Sequence, residues 1–132
     1  MSTGKTIVVV EDRNSSLKLF QDLLDNKGYA VVPITDGSLV EDAVLRHRPD
    51  LIVMDIQLPG KSGLDIIPAL KIHPDTRSIP ILAVSAFTME GDVARIMASG
   101  PDAFMTKPFN ILDFLKKVAE LLASSDSVKK AV

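Results

Sequence analysis

IVVVEDRN, residues 7–14, is the stretch on which the reading of the fold turns. Ile7, Val8, Val9 and Val10 are all β-branched and apolar, so they suit a strand buried on both faces. The run then stops at two carboxylates, Glu11 and Asp12. A buried strand that ends on acids has either reached solvent or delivered charge to a site, and one strand cannot decide which.

Moving outward, the same pattern recurs. Residues 50–55 (DLIVMD) and 79–85 (IPILAVS) read as further buried strands, and Ala103 to Thr106 as a short one. Ala30 to Ile34 also reads as a strand, but Pro33 lacks a ladder donor, which assigns it to a sheet edge. Helical spacing fills the gaps between strands. Leu17, Phe20, Leu23 and Leu24 share a face, closed by Gly28 as a C′ glycine. Leu39, Val40, Ala43 and Val44 mark a second helix ending before Pro49. A third runs from about Gly63 to Ile72, with Pro68 inside it predicted to kink or delay it. Met89, Val93, Ile96 and Met97 mark a fourth, with Thr88 as N-cap and Gly100 beyond its end. Asn110 caps the last, whose face is Ile111, Phe114, Leu115, Val118, Leu121 and Leu122. Residues 123–132 read as a frayed tail.

Alternating strands and helices, with strands apolar on both faces, predict a doubly wound α/β domain over residues 1–122. Right-handed crossovers and an edge-bound second strand give the parallel order 2-1-3-4-5. A chain of 132 residues holds one such domain. Its 46% apolar residues, 24% charged residues and net charge of −2 suit a globular protein and supply no electrostatic attraction to nucleic acid. The absence of Cys excludes disulfides and thiol chemistry. No apolar run approaches a membrane span, and the N-terminus lacks signal-peptide organisation, so a cytoplasmic location is expected. Gly4-Lys5-Thr6 imitates the end of a P-loop but precedes the first strand, where it cannot cradle phosphate. His47 and His73 stand singly in polar connections and read as solvated.

In a sheet of this order, ligands bind beyond the carboxyl ends of the strands, where the order reverses between strands 1 and 3. Strand 1 ends at Glu11 and Asp12 and strand 3 at Asp55. Three carboxylates therefore gather at one rim, where they repel one another unless a hard cation such as Mg²⁺ joins them. Strand 4 adds Ser85 and strand 5 adds Lys107. Each residue alone reads as a loop charge or a turn hydroxyl; their joint arrival points to a site.

These residues identify a resemblance. The acid pair in VVEDRN, Asp55 in LIVMDIQLPGKSG, Ser85 in AVSAF and the Lys107-Pro108 step in MTKPF resemble the receiver domain of two-component response regulators, over residues 5 to 122. KLFQDLLDNKGY, MDIQLPGKSGLD and AFTMEGD are most similar to the DivK group of single-domain regulators. The resemblance implies the flavodoxin-like, CheY-like fold and a phosphoprotein without its own output domain. Asp55 is then the phosphoacceptor, taking a phosphoryl group from a histidine kinase or histidine phosphotransfer protein. Mg²⁺ is held by Glu11, Asp12, Asp55 and the backbone carbonyl of Gln57. Lys107, before a cis proline, neutralises phosphoryl charge. Ser85 and Phe104 form the switch, Gln57 and Phe87 tune phosphate lifetime, and a downstream protein reads the surface of helix 4, strand 5 and helix 5. A monomer or weak dimer is expected, assisting its own phosphorylation and dephosphorylation without turning over a small-molecule substrate.

Arg13 departs from the family pattern: a guanidinium there competes with the metal or pairs with Glu11. It leaves open a degenerate receiver acting as a constitutive interaction module. A haloacid-dehalogenase-type aspartyl-phosphate hydrolase would also place a nucleophilic Asp after a strand. It wants a second Asp two residues on, where this chain has Gln57.

Overall fold

A computed structural model describes residues 4–86 and 90–131, with residues 90 and 125–131 described as backbone only. Phe87, Thr88 and Met89 lie outside the described residues, and with them the proposed cap of the fourth helix. The elements are β1 (Thr6–Val10), α1 (Asn14–Asn26), β2 (Ala30–Ile34), a 3-10 turn (Gly37–Leu39), α2 (Val40–His47), β3 (Leu51–Asp55), α3 (Gly63–Ile72), β4 (Ile81–Ser85), α4 (Glu90–Ala98), β5 (Ala103–Thr106) and α5 (Ile111–Ala131). All neighbours in the sheet are parallel, in the order β2-β1-β3-β4-β5. This is the flavodoxin-like arrangement that the strand pattern predicts.

The continuous apolar runs follow from burial on both faces. Val8, Val10, Ile52, Met54 and Ala83 point to one side, against Val40 and Val44 of α2, Ile66, Ile67 and Leu70 of α3, and Ile96 of α4. Ile7, Val9, Leu51, Val53, Leu82 and Val84 point to the other, against Phe20 and Leu24 of α1 and Phe114, Val118 and Leu122 of α5. Each fully buried side chain of this kind contributes about 1.5–3 kcal/mol. The edge strand β2 is only half-buried and exposes Pro33, whose missing N–H is harmless on an unpaired edge.

Local signals set the joints. After α1, Gly28 takes φ 86°, its N–H donates to the Asp25 carbonyl at 2.9 Å, and Tyr29 N–H reaches back to the Leu24 carbonyl at 3.2 Å. That is a Schellman ending, which a left-handed glycine permits. Asn110 Oδ1 accepts the amides of Leu112 and Asp113 at 2.8 and 3.2 Å, capping α5. Ser62 Oγ accepts the amide of Leu64 at 3.1 Å and starts α3 at Gly63, so Pro68 does not delay the helix. A proline at its sixth position removes a single intrahelical bond, which leaves the first turn intact.

Three details differ from the sequence reading. Leu39 lies in the 3-10 turn and is exposed, Met97 is exposed beside the buried Ile96, and Ile111 is exposed at the start of α5. Adjacent helical positions point about 100° apart, so only one of such a pair faces the sheet. Helix α5 continues to Ala131, and no Pro or Gly interrupts residues 111–131.

Candidate functional site

The sheet delivers its polar strand ends to one rim. Val10 stands opposite Met54, so the residues that follow, Glu11 and Asp55, emerge side by side at the reversal of strand order. Glu11 is fully buried, Asp55 nearly so at 5% exposure, and Asp12 is exposed. One carboxylate oxygen from each of Glu11, Asp12 and Asp55 lies within 4.8 Å of the others. The rim encloses a cleft of about 180 Å³ lined by Asp12, Arg13, Asp55, Gln57, Ala86 and Lys107.

Lys107 reaches this cluster from the far edge of the site. Its backbone N–H donates to the Ser85 carbonyl at 2.8 Å, and the Lys107–Pro108 peptide is cis. Its ammonium donates to Glu11 Oε2 at 3.0 Å and Asp55 Oδ2 at 2.9 Å. The other oxygen of Asp55, Oδ1, accepts the Gln57 amide at 3.0 Å. Lys107 also lies 6.0 Å from the ring centroid of Phe20, which stacks on Phe109 and meets Phe114 at a tilt, while Phe109 stacks on Phe114. These rings wall one side of the ammonium, and an apolar groove of about 340 Å³ runs past Leu19, Phe109 and Ile111 beside the cleft. The groove is the larger cavity, but the titratable groups converge in the smaller one.

One lysine facing two buried carboxylates leaves a negative charge uncompensated. Burial, and then the adjacent Asp55, push the Glu11 carboxyl up to about 7, with Lys107 opposing them. Glu11 Oε1 is buried and has no hydrogen-bond partner among the described residues. A buried carboxylate oxygen with no donor calls for a proton or a cation. The set of three carboxylates beside an open cleft fits a hard divalent ion that keeps part of its water, the habit of Mg²⁺.

The structure thus brings together Glu11, Asp12, Asp55 and Lys107, with Gln57 on the cleft wall. Ser85 is fully buried at the end of β4, opposite Thr106 of β5. Phe104 is half-buried and packs against the layer of α2, α3 and α4. Phe87 lies outside the described residues. Arg13 lines the cleft but is exposed, and the described salt bridge of Glu11 is with Lys107, not Arg13. Sequence reasoning brought Glu11 to the rim as a metal ligand but did not foresee that it is fully buried and paired with Lys107. The signal available was its position directly after four core residues.

Known proteins resemble this chain in sequence and fold. The family model of the response regulator receiver domain matches residues 7–119. The polar-differentiation response regulator DivK of Brucella anthropi is 40% identical over 121 residues, covering 92% of this chain and 98% of that protein. Among solved structures, the receiver domain of a signal transduction histidine kinase from Syntrophus aciditrophicus superposes with a TM-score of 0.87 at 29% identity, covering 92% of each chain. The receiver domain of a sensor histidine kinase from Pseudomonas aeruginosa, with a magnesium ion coordinated in its active site cleft, superposes with a TM-score of 0.85 at 26% identity. That match covers 92% of this chain and 99% of the other.

Proposed function

The chain belongs to the response regulator receiver domain family, and from that premise we propose that it is a phosphorylation-controlled signalling module with Asp55 as the phosphoacceptor. The donor is a phosphohistidine on a histidine kinase or phosphotransfer protein. An Asp55 carboxylate oxygen attacks phosphorus, the P–N bond to the imidazole breaks, and the imidazole leaves, taking up a proton. A carboxylate oxygen is itself nucleophilic and needs no general base for this attack. Its orientation is set by the Gln57 amide on Oδ1, and the Lys107 ammonium, 2.9 Å from Oδ2, stands where charge accumulates on the transferring oxygens.

Glu11, Asp12, Asp55 and the backbone carbonyl of Gln57 would hold Mg²⁺, which supplies further charge neutralisation on the phosphoryl group. The observation that carries this reading is the buried Glu11 Oε1, without a hydrogen-bond partner among the described residues, within a three-carboxylate cluster that also contacts Lys107. Once Asp55 is phosphorylated, Lys107 exchanges a carboxylate partner for a phosphoryl oxygen, and the Ser85 hydroxyl swings to bond another. Phe104 follows, and the surface of α4, β5 and α5 presents altered contacts to a downstream protein. Phe87 and Gln57 tune water access to the acyl phosphate. The module shares the cytoplasm with its donor; no described helix is long and apolar enough to cross a membrane.

The test is to add beryllofluoride with Mg²⁺ and follow amide chemical shifts. Shifts spreading from Asp55 to α4 and α5, abolished in Asp55→Asn, are predicted. No Mg²⁺-dependent shift at all would favour the degenerate module, and turnover of small phosphate esters would favour the hydrolase.

A further inference from the structure

The segment that follows Asp55 is clasped from outside the site. Its two ends are tied to each other: the Gly63 amide donates to the Ile56 carbonyl at 3.0 Å, and Ser62 Oγ lies 3.5 Å from the same oxygen. Its tip is gripped by the turn between β2 and α2. The Pro59 carbonyl accepts both the Lys61 amide and the Gly37 amide, each at 3.0 Å. Gly37 is buried so closely against the tip that a Cβ there would lie 1.9 Å from the Lys61 carbonyl oxygen and 2.8 Å from its carbon. Gly60, at φ 82°, has Asp36 Oδ1 where its own Cβ would stand, 2.3 Å away. Asp36 in turn is fixed by accepting the Ser38 amide at 2.8 Å and the Ser38 hydroxyl at 2.6 Å, bonds that hold its carboxyl below the ordinary range. Lys61 adds an ion pair to Glu41 of α2 at 2.7 Å, with both side chains partly open to solvent.

These contacts share one consequence. The chain from Asp55 to Gly63 is fixed at its base and at its tip, so the backbone of Gln57 between them has little freedom. We propose that Asp36 and Gly37 are positioning residues that hold the loop carrying Gln57 in its metal-competent shape, so that the edge of the sheet sets Mg²⁺ affinity without touching the ion. This rests on the phosphoacceptor reading and names a control on the same site. The backbone grip of Gly37 carries the effect. The partly exposed Lys61–Glu41 pair contributes little, since such pairs are worth about 0–1 kcal/mol.

Replacing Gly37 by Ala requires the Lys61 carbonyl to retreat by more than an ångström, and Pro59 transmits that shift toward Gln57. Residues that orient a metal ligand without binding the metal typically carry about ten- to a hundredfold in affinity. Gly37→Ala is therefore predicted to weaken Mg²⁺ binding by about tenfold or more, read from amide shifts during a MgCl₂ titration of the full chain. In the metal-free protein, the Gln57 and Lys61 amides should exchange faster with solvent. Gly28→Ala, which strains the end of α1 far from the cleft, should lower stability and leave Mg²⁺ affinity unchanged. If Gly37→Ala does not fold, Asp36→Ala decides: it opens the same turn without a clash and should also weaken Mg²⁺ binding. Unchanged Mg²⁺ affinity in the folded variant overturns the clasp alone. A wild-type protein that shows no Mg²⁺ response overturns the phosphoacceptor reading and the clasp with it.

Discussion

Replacing Glu11 by Gln tests the electrostatics of the site without a ligand. In the folded protein, burial and Asp55 raise the Glu11 carboxyl from 4.5 to about 7. The folded state therefore holds a proton that the unfolded chain has released between those values. The resulting stabilisation is complete below about pH 4.5 and is lost as pH rises through about 7. Each pH unit between those two values is worth about 1.4 kcal/mol, so the loss is of order 3 kcal/mol. The amide of Gln is a neutral isostere of protonated Glu and can still accept from Lys107. Glu11→Gln should accordingly match the wild type near pH 4.5 and exceed it at about pH 8 by up to that amount. The assay is urea unfolding, with the two proteins compared at each pH so that the histidines cancel. Mg²⁺ should reverse the order at about pH 8 by stabilising the wild type alone, and its apparent affinity for the wild type should rise about tenfold per pH unit below about 7. Stabilities of the wild type and Glu11→Gln that run parallel from about pH 4.5 to 8, with equal Mg²⁺ responses, would refute the claim that Glu11 is an uncompensated buried acid.

Other perturbations read other links. Lys107→Met leaves Glu11 and Asp55 buried without their ammonium; it should cost about 3 kcal/mol in urea unfolding near neutral pH and abolish phosphorylation while Mg²⁺ still binds. Thr76→Val removes a buried hydroxyl that donates to the Leu70 carbonyl at 2.6 Å, and should lower stability by about 1–2 kcal/mol with no change in Mg²⁺ affinity. Asn110→Ala removes the cap of α5, which should cost about 1 kcal/mol and speed amide exchange at Leu112 and Asp113.

Much of this was legible in the chain because strand ends are easy to find. Continuous apolar runs located β1, β3 and β4, Pro33 sent β2 to the edge, and the order then placed Asp12, Asp55 and Lys107 at one rim. What stayed hidden depends on side-chain direction across the fold. Glu11 and Asp12 are adjacent in sequence, yet one is fully buried against Lys107 and the other faces water, a difference that no pattern of residue types encodes. Leu39 and Met97 fit a helical period but fall on the outer side of their elements. The Gly37 clasp joins two turns more than twenty residues apart. Only the fold brings them into contact.

Uptake of a phosphoryl group by Asp55 in a metal-dependent reaction is the step from which the proposed signalling follows. The direct measurement is to incubate the protein with a small phosphodonor and Mg²⁺, then record intact mass and locate the modified peptide. A single phosphoryl group on the peptide containing Asp55, absent with a chelator and absent in Asp55→Asn, is the predicted result. A phosphoryl group on another residue, one that survives Asp55→Asn, or no modification despite bound Mg²⁺ would contradict it.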